Sequence, residues 1–267
     1  MIPTVRDIED LLEEMAPCRL AEQWDNPGLQ VGSGFQKVKK ICVALDATLE
    51  ALESASDKDA QMLFTHHPLI FTPLQRVEGG AYPGNVIFQA IRTGISVMAA
   101  HTNLDAARGG INDILADLLS LQEVEVLKER EEEEGVGLGR IGYLREAMPL
   151  SEFSREVKKV LEAESIRVIG EGKSSIRRVA VVGGSGGSLI SLSRQKGADL
   201  LLTGDIGHHH ALEAGTIGLA LIDGGHFHTE RVAFKVFAGH LRDALRSRGW
   251  EVEVELYEAE TDPLDHC

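Results

Sequence analysis

Short apolar runs alternate with amphipathic stretches along most of the chain. ICVALDA (41–47), QMLFT (61–65) and ISVMAA (95–100) are separated by TLEALESA (48–55) and VIFQAIRTG (86–94). Further on, VAVVGG (179–184), LLLTGD (200–205) and LALIDGG (219–225) alternate with LISLSRQKG (189–197) and HHALEAG (209–215). Apolar runs of four to eight residues read as strands buried on both faces, and the stretches between them have helical spacing. Strand–helix alternation of this kind predicts α/β architecture with parallel sheets covered on both sides. MIPTVRDIEDLLEEM (1–15) reads as an acidic amphipathic helix capped by Thr4, and SEFSREVKKVLEAE (151–164) as a helix with Val157, Val160 and Leu161 on one face.

The two sets of strands resemble each other. VKKICVAL (38–45) matches IRRVAVVG (176–183), and Thr65 of AQMLFTHHP matches Thr203 of ADLLLTGDI, both at an offset of 138 residues. ISVMAAHTNLD matches LALIDGGHFHTE at an offset of 125, which aligns His101 with His226 and Asp105 with Glu230. The change in offset is absorbed by PLIFTPLQRVEGGAYPG (68–84), a Pro/Gly-rich loop that tolerates insertion. Internal duplication predicts two pseudo-repeated α/β lobes, residues 1–128 and 129–267, with the C-terminal segment available to pack back on the first lobe. LKEREEEEGVGLGR (127–140), a charge run followed by glycines, reads as the solvated linker between them.

Composition narrows the function classes. The 267 residues are 43% hydrophobic and only 5% aromatic, so the core is aliphatic. With 27 basic and 42 acidic residues the formal charge is −15, a field that repels nucleic acid and leaves a small-molecule substrate as the expected partner. Cys18, Cys42 and Cys267 share no ligand or disulfide spacing. No apolar run reaches the ~18 residues that span a bilayer, and the N-terminus does not read as a signal peptide, so a cytoplasmic location is expected.

Eight of the ten histidines fall at the carboxyl ends of the predicted strands, where open α/β sheets bind ligands. His66 and His67 follow QMLFT, His101 and Asp105 follow ISVMAA, Asp205 and His208–His210 follow LLLT, and His226, His228 and Glu230 follow LALIDGG. Imidazole nitrogens with carboxylates and no thiolate suit Zn, Fe, Mn or Co. His66, His67, Asp105, His226 and Glu230 are the predicted ligands. Glu230 is long enough to bridge two ions, while His228 is expected to point away and His240 to be structural. GGSGGSLI (183–190) lies on the same edge, and its amides offer a weak anion cradle.

AEQWDNPGLQVG (21–32), FTHHPLIF (64–71), AAHTNLDAARGGIND (99–113), TGDIGHHHALEA (203–214) and GGHFHTER (224–231) together resemble the Nif-three-like dinuclear metal-centre family, many members of which are labelled GTP cyclohydrolase 1 type 2 homologues. The resemblance runs along nearly the whole chain. It implies two divalent ions in the cleft between two α/β lobes: His66 and Asp105 on one ion, His67 and His226 on the other, Glu230 bridging, and His101 beside the site. It also implies a ring-shaped homohexamer. Asp205 stands where relatives often have Glu, and the triple histidine is unusual. The expected activity is metal-dependent hydrolysis of a nucleotide or other phosphorylated small molecule, of the GTP cyclohydrolase type, with His101 and His208 or His209 shuttling protons. The alternative is a metal-binding or partner-binding ring without turnover.

Overall fold

The computed structural model describes residues 1–130 and 133–264. The chain divides into two compact units, residues 1–104 with 234–261, and 105–233 with 262–267.

The first unit is built on a five-stranded sheet of β1 (Gly28–Val31), β2 (Lys40–Ala44), β3 (Met62–Thr65), β4 (Ser96–Ala99) and β11 (Glu253–Leu256), in the order β1-β4-β3-β2-β11. Strands β2, β3, β4 and β11 run parallel, and β1 is antiparallel at the edge. The central strands are buried along nearly their whole length, as their unbroken apolar sequences require. Helix α1 (Val5–Met15) opens with a capping box in which Thr4 Oγ1 accepts from the Asp7 amide and Asp7 accepts from the Thr4 amide, and it buries Val5, Ile8, Leu11 and Leu12. Helices α2 (Leu49–Asp57) and α3 (Gly84–Thr93) connect the parallel strands. Ala51, Leu52, Val86, Ile87 and Ala90 pack with Cys42, Leu63 and Val97 in one core.

The second unit carries a six-stranded sheet in the order β5-β6-β8-β9-β10-β7. Its strands are β5 (Gln122–Arg130), β6 (Glu133–Pro149), β7 (Arg167–Ile169), β8 (Ser175–Ser185), β9 (Leu200–Gly204) and β10 (Ala220–Asp223). Only the β8-β9 and β9-β10 pairings are parallel; β5-β6, β6-β8 and β10-β7 are antiparallel. The expectation of mainly parallel sheets therefore holds for the first sheet and is corrected for the second, which is mixed. The expected linker is also corrected. Residues 127–130 and 133–140 belong to β5 and β6, paired in antiparallel register from Gln122↔Tyr143 to Arg130↔Glu133, while Glu131 and Glu132 lie outside the described residues. β5 sits at the sheet edge, and its exposed residues include Glu123, Glu125, Lys128 and Glu129.

Helices α5 (Ile111–Leu118), α6 (Leu150–Val160), α7 (Ile190–Gln195) and α8 (His208–Ile217) complete this unit, and Phe153, Val157 and Leu161 fill its core together with Val179, Leu200 and Ile222. Two further helices run across the division of the chain: short α4 (Thr102–Ala106) and the 22-residue α9 (His226–Ser247).

The same local bonds recur in each unit. Gln61 Oε1 accepts from the amides of Lys39 and Lys40, and Asp199 Oδ2 accepts from those of Arg177 and Arg178. The Ala100 amide donates to the Thr65 carbonyl at 3.0 Å, and the Gly224 amide to the Thr203 carbonyl at 2.8 Å. α3 and α8 both stop at a left-handed glycine, Gly94 (φ 70°) and Gly218 (φ 68°).

Candidate metal centre

In the first unit, β3 ends at Thr65 and delivers His66 and His67 on consecutive positions, while β4 delivers His101 just before α4. His66 is fully buried. Its Nδ1 lies 2.8 Å from the Ala100 carbonyl oxygen. A carbonyl only accepts, so this nitrogen carries the proton and Nε2 presents the lone pair. His67 Nδ1 lies 2.8 Å from Asp46 Oδ1, and His101 Nδ1 lies 2.8 Å from Asp25 Oδ1, so a carboxylate faces Nδ1 of each ring. One nitrogen from each of the three rings falls within 4.8 Å of the others, a set able to hold a metal ion. Asp25 also accepts from the Thr102 amide at 3.0 Å and from the Thr102 hydroxyl. Burial opposes the Asp25 charge, yet the hydrogen bonds from His101 and Thr102 outweigh it and hold the carboxyl down at about 2.

In the second unit, β10 leads through Gly224 and Gly225 into α9, whose first turn carries His226 and Glu230 on one face. His226 Nδ1 lies 2.7 Å from Asp205 Oδ2, and His226 Nε2 lies 3.1 Å from Glu230 Oε2. Asp205 adopts a left-handed conformation (φ 57°), uncommon for a non-glycine residue and typical of functional turns. Glu230 and Asp105 are both buried, with a carboxylate oxygen of each within 4.8 Å of the other. Gly184 (φ +61°) makes room for this group: a Cβ there would overlap the Glu230 carboxylate and approach the His226 ring at 3.3 Å. The Gly184 amide donates to Thr229 Oγ1 at 3.0 Å and pins the start of α9 to the end of β8. Asn112, fully buried, donates to the Asp105 carbonyl at 3.0 Å and accepts from the Gly183 amide at 2.9 Å. Gly183 and Gly184 thus pack against Glu230, while Gly186 packs against Thr203 and Val182 and Gly187 against His210.

The donor chemistry fits divalent ions. Four histidines each have Nδ1 held by an oxygen acceptor, an arrangement that orients metal-binding imidazoles and raises their basicity. No cysteine enters the clusters among the described residues. His101 is one of the clustered donors, whereas the sequence reading placed it beside the ligands. His208 and His209 are exposed at the start of α8, with ring centroids 5.5 Å apart, and belong to none of the donor groups. His210 lies against Gly187. His228 is turned toward Asp262, 3.6 Å away, and His240 is exposed on α9 with its ring 6.4 Å from that of Phe237. His266 and Cys267 lie outside the described residues. The sequence reading missed Asp46 and left Asp25 without a role as a brace. Asp46 ends an apolar strand, the same signal that singled out the histidines.

The chain is an α/β protein with two sheets, and it carries groups of His, Asp and Glu that could hold a metal ion. The chain belongs to the Duf34/NIF3 family (NGG1p interacting factor 3), whose pattern it matches over residues 3–263. It is 33% identical over 260 residues to the GTP cyclohydrolase 1 type 2 homolog of Clostridium acetobutylicum, covering 97% of each chain. The GTP cyclohydrolase 1 type 2 homolog of Streptomyces coelicolor is 34% identical over 267 residues, covering 98% of this chain and 94% of that one. Among solved structures, a Bacillus cereus protein related to NIF3 superposes with a TM-score of 0.94 at 28% identity over 100% of both chains. Among the described residues, no helix is long and apolar enough to cross a membrane.

Proposed function

We propose that this protein binds two divalent ions per chain and is a metal-dependent hydrolase acting on a nucleotide or another phosphorylated small molecule. The observation that carries the reading is the oxygen acceptor set against Nδ1 of His66, His67, His101 and His226, which orients each ring within the donor groups. In this reading His66 and Asp105 would hold one ion, His67 and His226 the other, and Glu230 would serve both. When bound, such ions would supply Lewis acidity and make water a stronger acid. Zn, Fe, Mn and Co all suit the donor set. His101, backed by the Asp25 carboxylate, is held in one orientation and is the residue placed to steady a proton at Nε2 or to join the ligands. His208 and His209 are exposed imidazoles available to accept a proton from substrate. The names of the relatives support the cyclohydrolase type of reaction. We also propose a cytoplasmic homohexamer, which light scattering would register as six times the chain mass.

Elemental analysis of the wild type and of Glu230→Ala tests the centre. Two ions per wild-type chain falling to one or none in the variant is the expected result, and wild-type protein without stoichiometric metal would overturn it. A second reading, a metal-binding ring acting through protein partners, is favoured by the family description, which names an interacting factor. His208→Ala and His209→Ala separate the two: turnover falls in an enzyme while metal stays bound, whereas partner binding is unaffected.

A further inference from the structure

Trp24 and Phe71 are 57% and 50% exposed in a chain that is only 5% aromatic. Their rings lie 5.5 Å apart at 51°, and each stands edge-on to His101, at 6.0 Å and 6.2 Å. Side chains this large gain by burial, so an exposed pair beside a polar cluster marks a ligand surface. The pair is also held in place. Asn26 Nδ2 donates to the Ile70 carbonyl at 2.7 Å, the Ile70 amide donates to Gln30 Oε1 at 3.2 Å, and Gln30 Nε2 donates to the Asn26 carbonyl at 2.7 Å. These bonds tie the segment bearing Trp24 to the segment bearing Phe71. The same two segments carry Asp25, which orients His101, and His66 and His67, five and four residues before Phe71. Platform and cluster are therefore fixed by one set of contacts within the first unit.

We propose that Trp24 and Phe71 form the stacking platform for a planar heteroaromatic ring of the nucleobase kind, and that they determine specificity for a ring-bearing substrate over a bare sugar phosphate. The inference rests on the proposed metal centre for its reactive group and names the substrate class of that site. Stacking of a base on an aromatic side chain tolerates many bases, so the platform selects for a planar ring and not for one particular base.

Fluorescence gives a direct readout, because the chain has two tryptophans, Trp24 and Trp250. The metal-loaded full chain is titrated with guanosine 5′-monophosphate and, separately, with ribose 5-phosphate. Quenching by the nucleotide at concentrations where the sugar phosphate leaves emission unchanged is expected, and the quenching is expected to vanish in Trp24→Phe. Equilibrium dialysis should show nucleotide affinity about tenfold weaker in Phe71→Ala, the order of loss when one stacking partner is removed, with metal content unchanged. Phe71→Leu serves the same purpose if the alanine variant does not fold. Equal behaviour of the two probes, or wild-type nucleotide affinity in the Trp24→Ala/Phe71→Ala pair, would overturn the platform. Affinity lost only together with metal would also overturn it, since the aromatics would then serve the cluster. Metal content judges the preceding proposal and ring selectivity judges this one.

Discussion

Each histidine of the centre has an acceptor distant in sequence that decides what the ring can do. His226 and Asp205 are the sharpest case: the partner sits in a left-handed turn (φ 57°) and its carboxylate lies 2.7 Å from the ring. Asp205→Asn keeps an acceptor of similar size and removes the charge, so the ring keeps its tautomer while its basicity falls. Metal affinity measured by competition with a chelator is expected to drop about 10- to 100-fold with the fold intact; an unchanged affinity would detach Asp205 from the centre. The histidines themselves were legible in the sequence because each follows an apolar strand. Their acceptors were harder to see, lying 21 residues away for His67 and His226 and 76 for His101. Only a fold brings such pairs together.

The elements show the same division between what pattern reveals and what it hides. Unbroken apolar runs marked β2, β3, β4, β8, β9 and β10, and Thr4 marked the start of α1. The β5–β6 hairpin was concealed, because strands whose exposed residues are charged read as solvated linker until a partner strand supplies the other half of the ladder. Glycines separate by role in a way that can be measured. Gly218 ends α8 at φ 68° with nothing within 4 Å of a Cβ placed there, so Gly218→Ala is expected to cost only the backbone term, about 1–2 kcal/mol in denaturant unfolding, and to spare the metal. Gly184 has the same sign of φ but faces the Glu230 carboxylate, so Gly184→Ala should lower metal content as well as stability. Equal effects of the two substitutions on metal content would show that Gly184 does not shape the centre.

At the scale of the whole chain, the hydrogen bonds from the Lys39 and Lys40 amides to Gln61 have counterparts 138 residues later in those from the Arg177 and Arg178 amides to Asp199. The division into units falls at 104/105 and 233/234, inside α4 and α9, not at the 128/129 boundary read from the charge run. Helices carry no compositional mark where a unit ends within them, so this boundary was invisible in sequence. Both helices carry proposed ligands, which couples metal to stability. Removal of metal with a chelator is expected to lower Tm, and readdition to restore it, because an ion bound only by the folded chain stabilises it by mass action; a Tm indifferent to chelation would count against the proposed centre.

Strand β11 lies beside β2 although more than 200 residues separate them. During synthesis the ribosome delivers the bulk of the second unit, residues 105–233, before the strand that completes the first. The sheet begun first is therefore the sheet completed last. Until residues 253–256 emerge, β2 presents an open edge that the nascent chain must keep from other strands.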